Sequence, residues 1–149
     1  MANTYQKLIS EVDVNISPTV TSPSTGFLAN SKYPFSFTPD PELPSVVTNY
    51  LESYANEAIK LKSVFAPTTP APDGYIKFRV DGIEQGIVLG LMSLTVPSLQ
   101  HPIVYKNPLV AGPNSRIEMY YVPIASTTVL TTVTMSITFS RIPARGIGR

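Results

Sequence analysis

The chain has no cysteine. That excludes a disulfide framework, a thiolate metal site and a cysteine nucleophile. One histidine, His101, is too few for zinc sites built on two or three imidazoles. Charge is scarce as well: 14% of residues are Asp, Glu, Lys or Arg, against roughly 25% in an ordinary domain. A net charge of +1 excludes a wholesale nucleic-acid binder, whose domain is markedly basic, and also an acidic disordered chain. Glycine, at 8 of 149, sits slightly below the usual ~7%. Proline is the excess, with 15 of 149 residues against a usual ~5%. A length of 149 suits one domain, expected over residues 1–149, with a sizeable apolar core.

No signal peptide is expected, because Leu8 and Ile9 are, beyond the initial Met1-Ala2, the sole adjacent apolar pair among the first ten residues. Met119 to Ser140 carries no formal charge over 22 residues, long enough to span a bilayer, which needs ~20 apolar residues. Nine of those positions are Ser or Thr, however, and Pro123 interrupts the run. Val133, Met135, Ile137 and Phe139 alternate with Thr132, Thr134, Ser136, Thr138 and Ser140, which is a strand with one dry face and not a spanning helix. No membrane span is expected.

The same alternation recurs at Val12, Val14 and Ile16, at Ile76, Phe78 and Val80, and at Ile117, Met119 and Tyr121. In each case one face docks on a core while the other is solvated, as in antiparallel sheets. Asp81-Gly82 between Val80 and Ile83 is the two-residue hairpin signal. Ile87 to Val96 is more continuously apolar and reads as a more central strand, with a bulge at Gly90. Tyr33–Phe37 and Ile103–Lys106 are shorter candidates. The count is about seven or eight strands, the number of an antiparallel β-sandwich or jelly roll.

One segment departs from period two. Val47, Leu51, Tyr54, Ala58, Leu61 and Phe65 are spaced four, three, four, three, four, a helical stripe. Ser45 caps it after Pro44, and Pro67 stops it. This favours an inserted helix over about 46–65, over a competing reading with helix only to Ala58 and a strand through Ile59, Leu61, Ser63 and Phe65. The prolines punctuate loops: Pro39 to Pro44 is expected to be extended, and Ala66 to Pro72 is a second rigid loop.

No catalytic constellation emerges. His101 has no motif around it, Asp73 and Asp81 each precede glycine as turn residues do, and no G-x-S-x-G elbow is present. Gly82, Gly86 and Gly90 do not follow the dinucleotide fingerprint. The ten acids offer no calcium-loop spacing and little for a paired-carboxylate glycosidase. Asn15-Ile16-Ser17 is a glycosylation sequon that carries little weight without a signal peptide. The chain is therefore expected to be non-enzymatic, with no cofactor or metal. Arg141, Arg145 and Arg149 recur every four residues among Pro143, Gly146 and Gly148, so residues 142–149 read as a flexible basic tail. Such a tail suits a neighbouring subunit's carboxylates or a weak nucleic-acid contact. Tyr33, Tyr105 and Tyr120 are candidates for ligand stacking, since Tyr presents an apolar ring with a polar tip; of Tyr120 and Tyr121, one must face the core.

Alternating final strands over Arg116–Val122 and Val129–Arg141, the inserted helix near Val47–Phe65 and the Arg141–Arg149 tail together resemble the single jelly-roll capsid, penton or minor capsid proteins of icosahedral viruses. The resemblance is architectural and spans the chain. It implies a structural protein of the virion, assembled in the host cytoplasm, that forms homo-oligomers and contacts other virion proteins through sandwich edges and loops. In that family the basic arm is often N-terminal and denser in Lys and Arg than here. The alternative from another class is a receptor- or carbohydrate-binding β-sandwich of the spike or adhesin type.

Overall fold

A computed structural model describes residues 12–40, 42–66, 73–90, 103–104 and 109–143. Among these the chain forms β1 (Val12–Ile16), β2 (Thr19–Thr21), β3 (Tyr33–Pro34), β4 (Leu51–Glu52), β5 (Glu57–Phe65) and β6 (Gly74–Val80). The second half supplies β7 (Ile83–Gly90), β8 (Ile103–Val104), β9 (Val110–Ala111), β10 (Arg116–Pro123), β11 (Thr132–Thr134) and β12 (Ser136–Pro143). Every pairing between them is antiparallel.

Two sheets carry the fold. The first runs β1-β12-β5-β8, with β9 also on β5; the second runs β3-β10-β6-β7, with β4 also on β10. β2 and β11 make a separate two-stranded ribbon. Alternation explains which residues meet. On β10, Ile117, Met119 and Tyr121 are buried, and their partners Phe78 and Ile76 on β6 are buried with them. From the first sheet Ile59, Leu61, Val64, Ile137 and Phe139 join the same core cluster, so the two inner faces share one sandwich-like core. Withdrawing each such side chain from water stabilises the fold by roughly 1.5–3 kcal/mol. The Asp81-Gly82 turn joins β6 to β7 with φ of 51° and 79°, the two positive values that such a hairpin requires.

The expected helix over 46–65 is not formed: no helix occurs among the described residues, and Glu57–Phe65 is the longest strand of the first sheet. The stripe arose from two breaks in alternation. A turn at Ala55-Asn56 separates β4 from β5, and a bulge follows where Thr138 pairs with Ser63 but Phe139 pairs with Leu61, leaving Lys62 extra. Val47 and Tyr54, two members of the stripe, are 58% and 61% exposed and so do not mark a core face. The competing strand reading of Ile59, Leu61 and Ser63 is the one the chain adopts in that half. Long-range pairing with β12 outweighs a local helical spacing.

Three smaller expectations also change. β7 lies at the end of its sheet and is not central, and its irregularity falls opposite Lys77–Arg79 and not at Gly90, which pairs with Tyr75; residues 91–96 of that candidate lie outside the described ones. The expected single strand Val129–Arg141 is instead β11 and β12, parted at Met135, whose N–H donates to the Pro18 carbonyl at 2.9 Å, and Val129–Thr131 precede both. The proline segment before Ser45 is folded into turns: Leu43 N–H reaches the Asp40 carbonyl and Val46 N–H the Leu43 carbonyl, each at 3.0 Å. Asp40 Oδ1 accepts from Glu42 N–H at 3.0 Å, and Pro44 takes the second position of the Leu43–Val46 turn, which its fixed φ suits.

Candidate functional site

β3 and β4 lie along the same side of β10, at Tyr120–Tyr121 and Arg116–Ile117 respectively. Between them the chain makes an excursion whose neck is closed by Phe37 and Thr48, each donating its N–H to the other's carbonyl at 2.7 and 2.9 Å. The excursion carries exposed Leu43, Val46 and Val47 and faces the end of the first sheet. A groove of about 340 Å³ lies there, lined by Val14 of β1, Arg141 of β12, Tyr54, and Pro39, Asp40, Leu43 and Val46 of the excursion. A second hollow of about 170 Å³ shares Pro39, Val46, Tyr54 and Arg141 and extends to Thr48, Tyr50 and Glu52.

Arg141 lies within β12, opposite Val12 of β1 and Ile59 of β5. Its guanidinium donates to the Glu57 carboxylate and to the Glu52 carbonyl, the latter at 3.3 Å. It stands 5.1 Å from the ring centre of Tyr54 and 5.6 Å from that of Phe139. Glu57 also accepts from Tyr54 N–H at 3.2 Å, so one carboxylate ties the turn before β5 to β12. The Arg141 and Glu57 side chains are only 21% and 16% exposed, which makes this pair part of the fold's frame. Of the expected tail over 142–149, Ile142 and Pro143 pair with Ala58 and Glu57 in the sheet. Arg145 and Arg149 lie outside the described residues.

The tyrosines separate likewise. Tyr33 packs edge-on against Phe27, with ring centres 4.9 Å apart, and its hydroxyl accepts from Leu28 N–H at 2.7 Å. Tyr120 donates to Glu118 at 2.5 Å, and the Arg79 guanidinium covers its ring at 4.9 Å. Partial burial first, and then the Glu118 carboxylate, raise the Tyr120 phenol above its ordinary value. Tyr121, on the opposite face, is fully buried as alternation requires. Tyr105 lies outside the described residues, as does His101. The sequon asparagine, Asn15, is occupied: its amide donates to the Ile137 carbonyl at 3.1 Å, to Thr138 Oγ1 at 3.0 Å and to Ser136 Oγ at 3.2 Å.

Exposed apolar residues include two groups among the described residues. One is the groove rim, where Leu43, Val46 and Tyr54 are 53%, 44% and 61% exposed. The others, Leu28, Ile124, Val129 and Leu130, lie on the 26–30 and 124–130 loops, which Thr127 N–H joins to the Phe27 carbonyl at 2.9 Å and Ala29 N–H to Ser126 Oγ at 3.0 Å. The groove's cation is already paired, so apolar contact is its main offer to a visitor. Among the described residues no group of three or more His, Asp or Glu side chains converges as a metal site would require. Nor is any helix there long and apolar enough to cross a membrane. The groove is not legible in the sequence, because the helix expected over 46–65 takes in Val46 and Tyr54 and the prolines make Pro39–Pro44 read as extended.

No protein-family model matches the chain, and a comparison with curated proteins returns no match.

Proposed function

We propose that the chain is a jelly-roll building block that assembles with copies of itself, as a structural component of a virion. The observation that carries this reading is the nesting of strand pairs. With the β2–β11 ribbon set aside, and β3 with β4 and β8 with β9 each taken as one lane, eight lanes remain, paired first with last (β1 with β12), second with seventh (β3/β4 with β10), third with sixth (β5 with β8/β9), and fourth with fifth (β6 with β7). Such nesting describes one long hairpin, with its apex at Asp81-Gly82, rolled so that its two halves become two facing sheets. Jelly rolls are built in this way, and viral capsid domains are prominent among them.

Lectins share that architecture, so the fold alone decides nothing about use. The surface favours assembly over sugar stacking. Tyr33 and Tyr120 spend their hydroxyls on Leu28 N–H and Glu118, and Arg79 occupies a face of Tyr120. What the surface offers instead is apolar: the groove rim of Leu43, Val46 and Tyr54, and exposed Leu28, Ile124, Val129 and Leu130; large exposed apolar areas mark interaction sites. Under this reading the partners are other copies of the chain and further virion proteins.

Sedimentation velocity with negative-stain microscopy, over a concentration series of the purified chain, tests the proposal. Rings, shells or discrete oligomers that grow with concentration are expected. A chain that stays monomeric throughout, at low and high salt, would sink it.

A further inference from the structure

We propose that β1 is an assembly edge that pairs antiparallel with β1 of a second copy across a two-fold axis through Val14. This deepens the assembly reading and rests on it. Among the described residues no strand pairs with the outer side of β1. An open edge presents a row of backbone donors and acceptors, and proteins that stay monomeric blunt such edges with proline, bulges, short strands or outward charge.

The ends of the second sheet are blunted and β1 is not. β3 ends in Pro34, β4 has two residues, and the pairing of β7 with β6 is irregular. β1 runs Val-Asp-Val-Asn-Ile with an unbroken register against β12. Its one charge reaches back across its own sheet, on the solvent face: Asp13 accepts from Ser140 Oγ at 2.5 Å and from Lys62 Nζ at 3.1 Å. Asn15 also reaches back over β12. Neither side chain guards the outer edge.

Complementarity selects the occupant. A two-fold centred on Val14 sets Asp13 of one copy opposite Asn15 of the other, so no like charges meet across the new seam, and each strand is its own complement. The groove adds apolar area beside that seam, because Val14 is one of its walls and Leu43, Val46 and Tyr54 form its exposed rim. Backbone pairing and apolar burial therefore lie on one continuous surface, as strand-addition interfaces require.

The absence of native cysteine makes the test direct. On the axis, residue 14 of both copies lies about 4.5–5.5 Å apart between Cα atoms, within disulfide reach. The full chain carrying Val14→Cys is oxidised mildly and the dimer followed on a non-reducing gel. Ile83→Cys, 68% exposed on β7, reports random collision. Cross-linking of Val14→Cys roughly tenfold or more faster than Ile83→Cys is expected, since pairing raises the effective concentration. Should Val14→Cys fold poorly, mixed Asp13→Cys and Asn15→Cys chains serve instead, and the heterodisulfide should outpace either homodisulfide. A chain that sediments as an oligomer yet cross-links no faster at position 14 than at 83 overturns this edge and leaves self-assembly standing. A chain that sediments as a monomer overturns both.

Discussion

The Arg141–Glu57 pair distinguishes a structural arginine from a cation held ready for a partner. A hydrogen bond to a charged group contributes about 1.5–3 kcal/mol when it is shielded, and each contact with a ring adds ~0.5–1 kcal/mol. With the two side chains only 21% and 16% exposed, solvent screens the pair less than it would a surface bridge. Arg141→Met keeps an apolar stem over Tyr54 and Phe139 but removes the charge, and should cost roughly 2–4 kcal/mol because it leaves the largely buried Glu57 carboxylate without its cation. Glu57→Gln retains an acceptor for Tyr54 N–H while removing the negative charge. In urea unfolding followed by far-ultraviolet circular dichroism, the double variant should lose less than the sum of the single losses, by about 1.5–3 kcal/mol. The coupling should persist at high salt. If Arg141→Met unfolds within about 0.5 kcal/mol of the parent chain, the range of neutral surface changes, the pair is not part of the frame and the reasoning fails.

Two glycines in the left-handed region should respond unequally to alanine. At Gly26, φ is +92° and a Cβ would stand 2.3 Å from the Thr127 carbonyl oxygen, in the loops that seat Leu28, so Gly26→Ala should cost well over ~2 kcal/mol in chemical denaturation. At Gly82, φ is +79° with nothing within 4 Å, so Gly82→Ala should cost only the backbone term, ~1–2 kcal/mol; equal losses at the two sites would refute the clash argument. Burial pushes the Tyr121 phenol up to about 12 from its ordinary 10.0. The folded state therefore holds that proton more tightly than the unfolded chain does. Its contribution is whole below pH 10 and declines as pH rises to about 12, by roughly 2–3 kcal/mol in all. Denaturation midpoints across that range should fall, and Tyr121→Phe should flatten the fall.

Strands were legible where alternation was uninterrupted. Val14 and Ile16, Ile76 and Phe78, and Ile117, Met119 and Tyr121 all lie on inward faces, and Asp81-Gly82 makes its turn, because period two and positive φ are local properties. The stripe from Val47 to Phe65 misled because its spacing was the product of a turn and a bulge, and a bulge is set by what the partner strand demands. Nothing local distinguishes Lys62 as the extra residue; only the pairing of Ser63 with Thr138 and Leu61 with Phe139 does. The candidate site was illegible for a related reason. Arg141 looked like the start of a tail because glycine and proline follow it, whereas its partners Glu57 and Tyr54 lie more than eighty residues away. The groove likewise needs the excursion and β12 to be neighbours, a consequence of sheet order.

Strand order also explains why β1 should be the exposed end. In a rolled hairpin the first lane pairs with the last, and the last pairs again with the third; the first lane has no second partner to gain. β12 accordingly has β1 on one side and β5 on the other. The β3/β4 end of the companion sheet is divided by the excursion after Phe37, and the pairing of β7 at its other end is irregular. Interruption leaves β3 and β4 two residues each, while the excursion that parts them supplies the Leu43 and Val46 rim beside β1. One insertion thus blunts an edge of the second sheet and adds apolar area next to the open edge of the first. Under the proposed β1 pairing, association would be channelled to one self-complementary seam and give a closed pair, where two equally open edges would propagate a fibre.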